Sequence, residues 1–306
     1  MAALRQVRPA TLFDDATWRD LTVRSSWRGV WLVAHAWGVI IGASALVALW
    51  PNPLTWLLAV MVVGARQLGL AILMHEAAHG TLHPNPQINA FLGEWLCAVP
   101  VGADLARYRP YHLRHHRFTQ QDEDPDLSLS APFPTSRASL RRKFVRDLTG
   151  QTFYKQRVAP LLRRGAAGNA FVGETAPAQR RFLAATAAIF LAYAACGAWI
   201  WFFGVWVVGF ATWFPLVTRI RNIAEHGCTA RDADPFTVAR TTQANWLERL
   251  LIAPYFVHYH AEHHLFIAVP CYRLPDLHQR LAMAGLTRRM NVAPGYLAVL
   301  RLVAQT

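Results

Sequence analysis

Polar and apolar positions divide this chain into blocks. Residues 29–65 contain no Asp, Glu, Lys or Arg, and neither do residues 182–218. As one helix, either run would reach roughly 55 Å, nearly twice the hydrocarbon core of a bilayer. Each run is therefore expected to hold two spans and a break, at Pro51-Asn52-Pro53 in the first and near Gly204 in the second. The predicted spans are 29–50, 54–74, 182–203 and 205–222, paired as two helical hairpins. Trp50 and Trp56 flank one turn, and Trp199, Trp201 and Trp206 flank the other, as in an interfacial aromatic belt.

The polar stretches fall on the opposite side. Residues 1–28 hold five Arg, and residues 104–181 hold fifteen Lys plus Arg against seven acidic residues. The positive-inside rule then puts both termini and every large loop in the cytoplasm. Residues 87–102, with Glu94, and 246–257, with Glu248 and Arg249, are too short to span and are expected to lie in the interface or dip into it. The 160–180 region, rich in Gly and Arg, reads as loop. The fold class is all-α integral membrane: four transmembrane helices in two hairpins, with a cytoplasmic helical cap (75–181 and 223–306), forming one domain over 1–306.

Composition agrees. The chain is 54% hydrophobic and 16% charged, against about 25% charged in soluble domains. Disorder is excluded by the apolar fraction. The net charge is +13, but the basic residues flank apolar spans, which favours anionic headgroups over nucleic acid. Four scattered cysteines (97, 196, 228, 271) form no CxxC pair and argue against disulfides, iron–sulfur sites and zinc ribbons. Asp14, Asp15 and Asp20 precede the first apolar run, which is unlike a signal peptide.

The histidines carry the chemistry. One cluster is His75-Glu76-Ala77-Ala78-His79, a second His112-Leu113-Arg114-His115-His116, and a third His260-Ala261-Glu262-His263-His264. A fourth piece is Asn222-Ile223-Ala224-Glu225-His226. Chance would give one HxxHH roughly 0.02 times in a chain of this length. On a helix, positions i, i+3 and i+4 share a face, so each cluster aims its imidazoles at a common centre. Imidazole suits iron, zinc, copper and nickel. Nine such ligands (His75, His79, His112, His115, His116, His226, His260, His263 and His264) exceed one ion, so two metals are implied.

These boxes resemble those of the membrane fatty acid desaturase superfamily: HxxxH, HxxHH and HxxHH. The resemblance runs from about Arg66 to Leu281. It includes His115-His116-Arg117-Phe118-Thr119 before Asp124-Pro125-Asp126-Leu127, and Val269-Pro270-Cys271-Tyr272-Arg273-Leu274-Pro275 after the third box. It departs at Ile267, where many relatives have Pro. The resemblance implies two Fe2+ ions, O2 as co-substrate, His226 as a direct ligand and Asn222 holding a metal-bound water. It implies a fatty acyl or lipid substrate in a bacterial inner membrane, and an external electron donor. That donor is expected to be a separate ferredoxin, rubredoxin or haem protein, since no haem domain is fused here.

The implied activity is an O2-dependent di-iron desaturase that introduces a double bond. The alternative keeps the site and makes it a hydroxylase or ketolase acting on a carotenoid or other lipid. A third reading is hydrolytic or non-enzymatic. HExxH is also the zinc-protease signature with Glu76 as base, but that leaves both HxxHH clusters without a role. A metal transporter would need more ionisable residues in the spans than His35 and Arg66 provide.

Glu76, Glu225 and Glu262 are expected to orient ligands from behind. Asp122, Glu123, Asp124 and Asp126 could bind ligand His residues or form a polar turn. His83 continues the first box but precedes Pro84. His35 is expected to be packed or hydrogen-bonded, His258 to face away from the site on an apolar helix, and His278 to lie at the surface. Arg66 needs a partner within the span, with Gln67 and Glu94 as candidates and contact with an acyl headgroup as the alternative. The basic stretch 137–146 is expected to face headgroups, or an acidic carrier or donor.

Overall fold

A computed structural model describes Leu4 and residues 6–159 and 176–305. Of the expected 160–180 loop, residues 160–175 lie outside the described residues, and 176–180 are helical instead. Helix α1 (Asp15–Thr22) precedes the first long helix, α2 (Arg28–Leu49). Helix α3 (Pro53–His79) is antiparallel to it. The turn between them falls at the predicted Pro51-Asn52-Pro53 because Asn52 and Pro53 together start a helix: the Asn52 side chain accepts from the Leu54 and Thr55 amides, and Pro53 takes the first helical position. Helix α3 continues without interruption through the first histidine box.

Short helix α4 (Pro86–Phe91) runs on through π and 3-10 turns to Val101. It is followed by α5 (Leu105–Phe118), which carries the second box, and α6 (Arg137–Leu148), which carries the basic stretch. Next come α7 (Ala176–Ala195) and α8 (Trp199–His226). The cap is completed by α9 (Trp246–Leu251), α10 (His260–Leu265) with the third box, α11 (Leu274–Met283) and α12 (Tyr296–Val303). Two short parallel strand pairs stitch the cap: Thr135–Ser136 with Ala304–Gln305, and Arg240–Thr242 with Asn291–Ala293.

Helices α2, α3 and α8 are long and apolar enough to cross a bilayer. Over their most apolar stretches α3 is 83% buried, against 28% for α2 and 44% for α8. So α3 is the interior post, and α2 and α8 keep broad apolar faces outward. The two hairpin turns lie together at one end, where the Trp56 indole donates to the Gly204 carbonyl (2.8 Å). The histidine boxes lie at the other.

Several expectations are corrected. The break in the second apolar run is at Cys196–Ala198, not Gly204. Gly197 turns the chain there with φ +69, a left-handed conformation that favours glycine. Gly204 sits inside α8 in a π-helical turn. Trp206 is no belt residue; it is buried and stacks on Trp37 (5.9 Å). Arg66 pairs with neither Gln67 nor Glu94. It donates to the Leu250 carbonyl (2.6 Å) and lies 5.5 Å from the Tyr255 ring centroid, so helix-end carbonyls and a π face take its charge. Gln67 donates to Trp206 O, and Glu94 pairs with Arg181. Residues 252–259 form turns, with left-handed Tyr255 and Phe256, so His258 is buried in a turn and not on a helix.

Candidate metal centre

Four elements bring the histidines together. The C-terminal turn of α3 supplies His75 and His79, α5 supplies His112, His115 and His116, the last residue of α8 is His226, and α10 supplies His260, His263 and His264. Each end is fixed locally. Arg240 donates to the Ala224 and Gly227 carbonyls and so caps the C-terminus of α8. Asp104 caps the start of α5 by accepting from Arg107 N. The bridge between Thr241 and Tyr259 sets the residue before α10.

The nine imidazoles form two groups. His75, His79, His112, His116 and His263 make one; His115, His226, His260 and His264 make the other. Within each group the possible ligand atoms all lie within 4.8 Å of one another. Each HxxHH box is divided between the groups. Its first and third His go to one and its middle His to the other, because i and i+4 lie about 40° apart around a helix while i+3 falls on the opposite side of i.

The inner nitrogens face one another closely. In the first group His79, His112, His116 and His263 are linked through Nε2 contacts of 3.0, 2.8 and 3.0 Å. In the second, His226 to His260 is 2.9 Å and His260 to His264 is 3.0 Å. The outer nitrogens decide what these contacts are. His226 Nδ1 meets the Val238 carbonyl (3.0 Å) and His115 Nδ1 meets Asp124 Oδ1 (2.8 Å). The Thr119 hydroxyl gives its proton to His115 O and accepts from His264 Nδ1 (3.2 Å). These partners assign the protons to Nδ1 and leave bare lone pairs on Nε2. Bare lone pairs 3 Å apart repel, and a shared cation removes that repulsion. In the first group His79 Nδ1, His116 Nδ1 and His75 Nε2 are buried without hydrogen-bond partners.

The donor set therefore fits metal ions. Nitrogens about 2.1 Å from one ion stand about 3.0 Å apart at a right angle and about 3.4 Å apart at the tetrahedral angle. The 2.8–3.0 Å contacts are close to these separations, so each group is spaced to share one ion. Burial, reinforced by neighbouring imidazoles, holds the pKa values of His112, His116, His260, His263 and His264 well below the usual value. These side chains are neutral and free to ligate. Burial also pushes His115 down, but its bond to Asp124 and the charges of Asp126 and Asp124 outweigh this, and its pKa is raised.

The residues behind the ligands differ in what they touch. Glu225 lies 3.4 Å from His260 Nδ1 and is held by Arg221. Glu262 is fully buried and accepts from Thr241 and from His278 Nδ1 (2.5 Å), so His278 is a half-buried anchor of α10 and not a free surface residue. Glu76 accepts from the Thr81 hydroxyl and the Cys271 amide, both at 2.9 Å. It ties α3 to the segment after the third box and is not poised as a hydrolytic base. Asp124 is hydrogen-bonded to the ligand His115, Asp126 lies 3.8 Å from the same nitrogen, and Asp122 pairs with Arg231 outside. Three orienting groups were missed. The Val238 carbonyl has no side-chain signature, whereas Thr119 one turn after His115 and the His278–Glu262 contact could be guessed at best. His83 belongs to neither group and accepts from Asn85 N. His35 bonds Tyr255, as expected of a packed His.

Three cavities adjoin the centre. Asn222 lines a small one of about 40 Å³ with His115, His226 and His260, enough for ordered water. A slot of about 200 Å³ starts at His75, Tyr108 and Asn222 and follows α3 and α8 away from the cap. On the opposite side a third cavity exposes one ligand of each group, His116 and His264, beside Trp18 and Phe266.

The profile of the family described as fatty acid desaturase matches residues 51–291. The chain belongs to the fatty acid desaturase family. All four elements bearing the desaturase histidines lie within the matched stretch. Among similar proteins, a dihydrorhizobitoxine desaturase of Bradyrhizobium elkanii is 24% identical over 247 residues, 77% of this chain and 70% of that protein. A beta-carotene ketolase of Paracoccus sp. (strain PC1) is 33% identical over 107 residues, 33% of this chain and 40% of that protein. A second, from Paracoccus sp. (strain N81106 / MBIC 01143), is 30% identical over 124 residues, 39% of this chain and 47% of that protein. The match thus spans less than half of either ketolase.

Proposed function

We propose that this member of the desaturase family is an O2-dependent di-iron oxidoreductase that converts a CH2–CH2 unit of a fatty acyl chain or lipid to an alkene. The observation that carries the proposal is the pair of imidazole groups with their lone pairs turned inward. His75, His79, His112, His116 and His263 would hold one iron; His115, His226, His260 and His264 would hold the other, with a water on Asn222. When bound, the irons supply the redox chemistry by which O2, two external electrons, two protons and two substrate hydrogens become two waters.

The chain's own residues do the rest. Asp124, Thr119 and the Val238 carbonyl hold the imidazoles in the ligating tautomer before metal arrives. The slot between α3 and α8 admits the substrate to the His75 and Asn222 side, and its apolar wall of Leu68, Ile72 and Phe214 excludes water. Electrons enter from a separate donor protein on the opposite face, where His116 and His264 are reachable. The topology proposed is four spans (α2, α3, α7 and α8) in a bacterial inner membrane, with the cap in the cytoplasm and the chain forming one domain.

The two ketolase matches favour one second reading, in which the same centre returns oxygen to the substrate carbon of a carotenoid. Expression in a host that makes both unsaturation-free lipids and carotenoids, followed by mass spectrometry of both pools, separates the two. Purified protein should contain about two irons per chain. Oxidation that survives His263→Ala or His115→Ala would sink both readings.

A further inference from the structure

The walls of the slot are unlike a channel for a plain hydrocarbon. One wall is apolar, but the other carries Tyr111, Asp126, Thr152, Gln156, Arg157 and Arg219. Arg219 is neutralised by Asp147 through two hydrogen bonds. Among the described residues Arg157 meets no carboxylate. Its partners there are the Val101 and Gly102 carbonyls (2.9 and 2.8 Å) and the Phe210 ring. Burial pulls its pKa down to about 10, so it is still cationic at neutral pH. Its seat is built for it. A Cβ on Gly102 would stand 2.5 Å from its Nη1, and Gly102 has φ +66.

The position of Arg157 is informative. Lining residues on α8 run from Phe214 to Asn222, about 12 Å at 1.5 Å per residue. Phe210, under the Arg157 guanidinium, lies one turn beyond Phe214 and farther from the histidines. Arg157 thus lines the slot at the end remote from the metal groups.

Resting on the functional reading above, we propose that the substrate carries its own carboxylate, which Arg157 binds at the end of the slot remote from the histidines. The C–H bond to be oxidised then lies about 12–18 Å away along α8, next to His75 and Asn222. Arg157 is a positioning and specificity residue. It selects a short free acid that enters whole over a lipid tail threaded from the bilayer. A forked guanidinium suits a carboxylate, and its other protons are already fixed by the two carbonyls.

The test uses the full chain in nanodiscs and titration calorimetry, with empty nanodiscs as the blank. The probes are decanoate, methyl decanoate and decyl phosphate. Wild type should bind decanoate at least ten-fold tighter than the ester, and Arg157→Gln should erase that preference while leaving ester binding unchanged. Arg157→Lys should restore part of it. If Arg157→Gln fails to fold, the wild-type comparison of acid with ester still decides. Equal binding of acid and ester overturns the proposal, and so does tighter binding of decyl phosphate, which would mark a lipid headgroup site. The assay needs no metal. Two irons without acid selectivity would sink this inference alone, whereas acid selectivity without iron uptake would sink the functional reading alone.

Discussion

The two imidazole groups share a face of the cap but are held in different ways. In the four-membered group, His115, His226 and His264 each bond through Nδ1 to a partner that fixes the proton, and His260 faces Glu225. In the five-membered group, His79 and His116 have outer nitrogens buried without partners, and His75 has only Glu76 at 3.5 Å. The smaller group is therefore organised before metal binds, and the larger one makes up in ligand number what it lacks in support. Outer partners typically contribute 10–100-fold in metal affinity or activity. The asymmetry predicts which ion survives which mutation.

Ligand deletion should give the largest contrast. His260→Ala leaves three imidazoles in the smaller group, and His79→Ala leaves four in the larger. Iron analysis should find His260→Ala reduced to about one iron per chain and His79→Ala retaining two, more weakly bound. Turnover should fall in both by more than the about 100-fold upper cost of losing an outer partner. Equal iron loss in the two variants would break the comparison.

Asp124→Asn comes next. Asp124 accepts from His115 Nδ1, Gln120 N and Asp126 N. In either orientation an Asn amide turns its NH2 toward one of these donors. The variant should weaken the ion of the smaller group about 10–100-fold and leave the other unchanged. Stepwise iron titration followed by Mössbauer spectroscopy reads the two sites separately.

How much of this was visible in the sequence follows from the same chemistry. The boxes were legible because helical spacing puts His112 and His116, or His260 and His264, on one face. Their division between two groups left no obvious mark, although His115 and His116 stand about 100° apart around α5. The first hairpin was legible because Asn52-Pro53 is a local start signal. The second was misplaced because its uncharged run holds several glycines, and the pattern of apolar residues does not say which one turns left-handed. Partners distant along the chain, such as the Leu250 carbonyl for Arg66 or Val238 O for His226, left no trace in residue type. His278 looked like a surface residue because its carboxylate lies sixteen positions away on another helix.

A smaller effect is expected at Thr119, whose hydroxyl bridges His115 O and His264 Nδ1. Thr119→Val keeps the shape and removes the acceptor that fixes the His264 tautomer. The cost should be near the lower limit, about 10-fold in affinity for the ion of the smaller group. An unchanged titration curve would mean that His264 is oriented by packing alone.

The smallest effect should separate support of α10 from support of either metal, because α10 contributes to both groups. His278 sits on α11 and donates to the fully buried Glu262 between the ligands. That hydrogen bond raises the His278 pKa above its usual value, with burial opposing it. A group whose folded pKa is raised stabilises fully below its unfolded value, about 6.5, and loses that contribution as pH climbs through the folded value. His278→Gln should therefore lower the thermal midpoint of metal-free protein by about 2 °C at acidic pH. The gap should close once the pH has passed the raised value, and the iron content of both groups should stay equal to wild type. A gap that does not vary with pH would show that neutral His278 makes the bond. Charge would then have no part in anchoring the helix, and packing around Tyr259 and Thr241 would have to account for the placement of α10.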